Sequence, residues 1–295
     1  MVNFDRTPMD RLVDGLIYFS LGLFALMTLF PLYYVFVVSI TPYTEVVRHG
    51  GFVIFPSQWT WSAYEEILSS QRIPRALGVT VLVTTVGTLM NLVFTMLVAY
   101  PLSKKFVPGR NGFLIAIVFT MLFSGGIIPT YLIVRAVGLY DSFWALIIPS
   151  LVSTFYMLIM KTYFENLPSE LEDAAKVDGC GDVSTLFRLV LPLSAPIVAT
   201  LGLFYGVGHW NSFFPAIMYL SDRNWHPIQV VLRNMIQSPN VSQELMSTDI
   251  ASLTQLPPET VKMATVVLAI IPIILIYPFL QKYFVKGMLI GSVKG

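Results

Sequence analysis

Six long stretches of the chain are predominantly apolar, and polar or charged segments separate them. They cover approximately residues 15–40, 76–102, 112–136, 142–161, 193–220 and 261–285. Each has the roughly 20 mainly apolar residues that a helix needs to cross a hydrocarbon core about 30 Å thick. Between them lie a polar loop at 41–75, a basic turn at 103–111, a tight turn near 137–141, an amphipathic stretch at 162–192 and a polar loop at 221–260. No repeat period or linker divides the chain. The pattern predicts an all-α polytopic membrane protein, six transmembrane helices in a single transmembrane domain of residues 1–295.

Composition agrees. The chain is 55% hydrophobic and 12% charged, about half the charged share of a soluble domain. A net charge of +1 supplies no basic field for nucleic acid. The single cysteine, Cys180, excludes an internal disulfide and a Cys-rich metal site. Asp5, Asp10 and Asp14 mix with Arg6 and Arg11 ahead of an apolar run too long for a signal-peptide core, so the first span reads as retained. With the N-terminus inside, 11 of the 18 Lys and Arg residues fall on inside segments and 7 outside. The positive-inside bias therefore predicts a multi-pass membrane protein with both termini cytoplasmic.

Polar chemistry inside the spans is sparse. His209, Trp210 and Asn211 form the most concentrated cluster. An aromatic face with imidazole and amide groups could line a translocation pathway; the alternative is interhelical packing with His209 satisfied by a neighbour. Asn91, Ser124 and Tyr131 are further pathway candidates, against the alternative of helix–helix hydrogen bonds. Trp59, Trp61 and Tyr64 suit an outer interfacial helix, and the 221–260 loop suits contact with an external protein. The spans carry no Asp or Glu in their central portions, which speaks against an ion-coupled secondary transporter. Neither H-E-x-x-H nor G-x-S-x-G occurs, and no G-x-x-x-x-G-K-[ST] phosphate loop. The chain therefore offers no catalytic residue, metal ligand set or cofactor site, and cannot hydrolyse ATP alone.

The segment Pro168–Pro192 reads PSELEDAAKVDGCGDVSTLFRLVLP. Ser169 and Glu172 have the spacing of a capping box. Ala174 and Ala175 favour helix, and Gly179 suits a left-handed stop. A second short helix is predicted from Asp182 to Val190, ended by Leu191-Pro192. The first helix is acidic with few large apolar residues, so a protein partner suits it better than anionic headgroups.

This segment resembles the EAA motif of ABC-importer permeases: Glu-Ala-Ala, three residues, Gly, nine residues, Ile-x-Leu-Pro. Asp173, Ala174 and Ala175 take the first three positions, Gly179 falls at the right interval, and Leu189, Leu191 and Pro192 complete the register. Asp173 for Glu and Leu189 for Ile are conservative departures; Cys180 stands where Ala is usual. Asp178-Gly179 resembles the form typical of carbohydrate permeases of the maltose-transporter type. FSGGIIPTYL at 123–132 and GHWNSFFPAIMYL at 208–220 resemble lipoprotein-associated oligosaccharide permeases. The resemblance implies that residues 162–192 form a cytoplasmic coupling loop. Asp173 would face an ATPase, with Glu172 beside it and Gly179 setting the angle between the helices. It also implies a second homologous permease, two cytoplasmic ATPase subunits, an extracytoplasmic solute-binding protein, an oligosaccharide substrate and surrounding membrane lipid. The runner-up readings are the ion-coupled transporter and a permease of this type for a non-sugar solute.

Overall fold

The computed structural model describes residues 8–237 and 258–292. Residues 238–257 of the 221–260 loop, and Arg6 and Lys294 of the charge tally, lie outside them. The described residues are helical and contain no strand. Three helices are long and apolar enough to cross a membrane by themselves, over Arg11–Ser39, Arg72–Ser103 and Glu259–Ile276. Three further pairs of helices reach that length only as bent pairs.

By contacts the chain groups into two units, Met1–Ser70 with Asn234–Leu268 and Gln71–Arg233 with Ala269–Gly295. In the first, α1 (Pro8–Ser39) leads into two short helices, α2 (Tyr43–Arg48) and α3 (Ser62–Ser69). Val37, Val38, Val46 and Val53 form its core, with Tyr34 and Met263 against it. The Glu45 carboxylate accepts the Ser57 and Gln58 amides, which pin the 50–58 loop to α2 and hold its pKa below the ordinary value. Trp59 and Trp61 are exposed just ahead of α3, where Tyr64 bonds Ser39.

The second unit is built around α4 (Arg72–Ser103). It continues through α5 (Arg110–Leu122), α6 (Ile127–Ala136), a 3₁₀ segment at 143–150 and α7 (Thr154–Glu165). Next come α8 (Ser169–Val177), α9 (Asp182–Leu193), α10 (Ala195–Trp210) and α11 (Phe214–Tyr219). Helix α12 spans Ile228–Gln237 and α13 spans Pro258–Ser292, of which residues 234–237 and 258–268 group with the first unit. Met96, Ala99, Tyr100 and Leu102 of α4 form a core with Met157, Met160 and Phe164 of α7, Leu186 and Val190 of α9, and Leu201 of α10. Gly202 and Gly206, four residues apart, bring α10 close to Leu92 and Thr88 of α4. Without water to drive helices together, such small residues let dispersion contacts do so.

Three predicted spans are not straight. The 112–136 stretch turns through 118° at 123–126. Gly126 sits at φ +89°, and in an unbroken helix the Pro129 ring would strike the carbonyl of Gly125. The 142–161 stretch starts as 3₁₀ and bends 53° before α7; the 193–220 stretch stops at Trp210 and restarts at Phe214. Helix α9 runs past the predicted stop at Val190 to Leu193, with a wide π turn at Leu186–Val190. Pro192 has no amide proton to give to Arg188, so loosening the preceding turn spares a clash. The chain then bends 85° into α10.

Candidate functional site

Helix α8 has two distinct faces. Its carboxyl end closes as a Schellman motif: Gly179 N–H donates to Lys176 O, Cys180 N–H donates to Ala175 O, and Gly179 takes φ +79°. The amino end departs from expectation. Pro168 occupies the cap position, Ser169 makes no capping bond, and the Glu172 carboxylate accepts from Lys104 Nζ instead. An ammonium ion is the stronger partner for a carboxylate than a backbone amide, so the capping box is not formed.

Lys104 follows the last residue of α4 and also lies 4.6 Å from the centroid of Tyr100. One turn along α8, Lys176 Nζ lies 5.4 Å from the ring centroid of Phe106. Glu172 and Lys176 share a face by their i,i+4 spacing, and that face is tied to the end of α4 and the turn after it. The other face is open: Glu170, Asp173, Ala174 and Val177 are all exposed, Val177 at 88%. This is a small apolar patch rimmed by carboxylates.

Helix α9 is bolted down from above. Leu186 and Val190 are in the core, Leu189 and Leu191 are half-buried, and Pro192 is exposed. Nearby, Glu165 accepts from both Arg110 and Lys161, the latter at 2.7 Å, and Arg110 Nε donates to Leu102 O. The α8–α9 element thus hangs from the end of α4 by one ion pair and from α4 and α7 by apolar anchors.

A second constellation lies inside the bundle. Asn91 Nδ2 donates to Ser150 O and Leu151 O at 2.8 Å each, filling carbonyls freed where the 3₁₀ segment ends. Its amide oxygen then faces His209 Nε2 at 2.6 Å, which assigns the ring proton to that nitrogen. Tyr205, one turn before His209, accepts from Ser153 N–H and contacts Thr95 at 2.8 Å. The break at 151–153 is therefore held by side chains of α4 and α10. Gly87 permits this: a Cβ there would stand 2.6 Å from His209 Nε2. Trp210 donates its indole N–H to Ala269 O.

So Asn91 and His209 are brought together and buried, while the other pathway candidates stand apart. Asn211 is exposed and donates to Val207 O; Ser124 is exposed and accepts from Gly126 N–H. Tyr131 is half-buried between the Tyr140 and Tyr219 rings. Sequence reasoning missed Lys104, Thr95 and Tyr205. The last two lie one helical turn from Asn91 and His209, a spacing that would have found them.

Comparison with known proteins completes the description. A family model, binding-protein-dependent transport system inner membrane component, matches residues 3–290. The polygalacturonan/rhamnogalacturonan transport system permease protein YtcP of Bacillus subtilis (strain 168) is 45% identical over 286 residues, 97% of this chain and 99% of that protein. Protein LplC of the same organism is 43% identical, over 98% of this chain and 97% of its own length. A crystal structure of a bacterial ABC transporter involved in the import of the acidic polysaccharide alginate contains a chain with a TM-score of 0.86 and 32% identity. That match covers 96% of this chain and 100% of the other.

Proposed function

This chain belongs to the family of binding-protein-dependent transport system inner membrane components, and from that premise we propose that it is the permease subunit of an ATP-driven importer of uronate-containing oligosaccharides. Sugar is the substrate class named for two of the three similar proteins. Polygalacturonan and alginate, named for two of them, are both acidic sugar polymers, which supports a carboxylate-bearing substrate here.

The observation that carries the mechanism is the two-faced α8. One face is fastened to α4 through Lys104–Glu172, and the opposite face presents Asp173, Ala174 and Val177 to a partner. In this reading α8 and α9 are the cytoplasmic coupling loop. Asp173 faces the ATPase, and Glu172 passes the displacement on to α4. ATP is hydrolysed on two separate subunits, and their closure moves the loop. Helices α1, α4 and α13, the α5–α6 pair, the 143–150 segment with α7, and α10 with α11 each make one crossing, giving six crossings with both termini cytoplasmic. A second permease and an external solute-binding protein complete the assembly. Asn91, His209 and Trp210 hold the bundle around the 151–153 break, and Asn211, Ser124 and Tyr131 remain the pathway candidates.

The test is Asp173→Lys in the complete complex, reconstituted in proteoliposomes with its binding protein. Reversing one charge at such an interface should lower ATP-driven uptake at least about tenfold, at unchanged abundance in the membrane. Full uptake by this variant would refute the docking role.

A further inference from the structure

Arg233 of α12 is half-buried, yet it pairs with no carboxylate among the described residues. Its guanidinium carbon lies instead 5.8 Å from the ring centroid of Phe213. A guanidinium taken partly out of water is costly unless an anion meets it. Resting on an aromatic face leaves the planar fork of N–H donors free at its edge.

The surroundings are unusual in an apolar chain. Phe213 belongs to the interruption between α10 and α11, and both Phe213 and Phe214 are exposed. Asn211, in the same interruption, is exposed and spends its Nδ2 on Val207 O, and its amide oxygen has no hydrogen bond among the described residues. A cation, bare aromatic faces and a free acceptor thus collect at a break in a span. Irregular backbone at such depth is tolerated where it lines a cavity.

The position along the fold fits entry of a substrate. Ile228 N–H, at the start of α12, donates to Thr80 Oγ1 of α4. Thr80 and Lys104 are separated by most of α4, roughly 36 Å at about 1.5 Å per residue. Arg233 therefore sits toward the membrane face opposite the α8 coupling helix.

We propose that Arg233 binds the carboxylate of a uronate residue in the arriving oligosaccharide, with Phe213 as the stacking surface for a sugar ring. The assignment rests on the uronate reading above. The fork matches a carboxylate with two parallel hydrogen bonds, and a pyranose offers a C–H face to the ring. It makes the permease, and not the binding protein alone, a selector for charge.

The experiment compares uptake of an oligogalacturonate with uptake of its methyl ester, the same sugar without the charge. It uses the full reconstituted complex, normalised to complex amount. Wild type prefers the acid. Arg233→Gln lowers the acid-to-ester uptake ratio about tenfold, in keeping with loss of one charge-assisted pair, and Arg233→Lys recovers part of it. An unchanged ratio in Arg233→Gln, or a parallel fall for both sugars, would overturn the assignment while leaving the transporter reading intact. A wild-type complex that imports neither sugar would overturn the uronate reading and this assignment with it.

Discussion

Gly87→Ala sets two opposing effects against each other, and the structure decides between them. Replacing a mid-helix glycine by alanine favours helix by up to about 1 kcal/mol. The new Cβ, however, would lie 2.6, 2.8 and 2.9 Å from three atoms of the His209 ring, where ordinary contact begins at 3.4 Å. The ring must retreat by roughly 0.8 Å, a displacement of the size that overpacked cores resist at about 1–3 kcal/mol. Such a retreat loses the 2.6 Å bond to Asn91 or drags Asn91 off the Ser150 and Leu151 carbonyls, costing about 0.5–1.5 kcal/mol more. The clash wins. Gly87→Ala should destabilise by about 1–3 kcal/mol net, visible as a lower melting midpoint of the purified complex by heat-step size-exclusion chromatography. The decisive control is the same change in a His209→Ala background. There the ring is gone, and Gly87→Ala should leave the midpoint unchanged or raise it. Equal shifts in both backgrounds would show that Gly87 and His209 are not coupled, and the packing argument would fail.

Two more outcomes follow from the ion pairs and from the turn at Asp141. Glu172→Lys alone sets two cations together at the α8–α4 tie and should lower uptake, while adding Lys104→Glu restores opposite charges and should recover most of it. Asp173→Lys should not be rescued by Lys104→Glu, and rescue of both or of neither would remove the two-faced description of α8. Asp141, at φ +57°, accepts from the Ser221 and Asp222 amides at 2.8 and 3.0 Å, and these bonds hold its pKa below the ordinary 3.8. A carboxyl whose folded pKa is depressed contributes stability above its unfolded value and loses it as pH falls through the folded one. The midpoint difference between wild type and Asp141→Asn should therefore be constant near neutral pH and shrink below about pH 4; a difference persisting in strong acid would refute the bonding role of the charge.

Much of this was legible because hydropathy and turn chemistry are local. Six apolar stretches can be counted, and Gly179 can be read as a helix stop because few other residues tolerate a positive φ. What failed was decided at long range. Ser169 and Glu172 carry a valid capping-box pattern, but Glu172 is claimed by Lys104, 68 residues earlier in the chain. The Asn91–His209 pair joins residues 118 apart; nothing local distinguishes such a pair from two pathway residues. The broken spans failed differently. An apolar window satisfies a hydropathy test whether it runs straight or folds back, and the 112–136 window contains a turn of 118°.

The polar side chains of α4 explain why a helix in lipid retains them. Thr80, Gly87, Asn91 and Thr95 recur at intervals of seven, four and four, which places them on one face. Each meets a place where backbone groups are freed or two segments approach closely: the start of α12, the His209 ring, the end of the 3₁₀ segment and the Tyr205 hydroxyl that holds Ser153. Buried backbone groups without partners cost several kcal/mol each in hydrocarbon, so breaks in neighbouring spans can persist only where another helix supplies donors and acceptors in register. A straight α4 does so. Its far end is fastened to α8 by Lys104, and an uninterrupted helix cannot shorten or bend cheaply between those points. Between α8 and the break near residues 151–153 the weakest links along α4 are therefore side-chain hydrogen bonds and not a helix ladder.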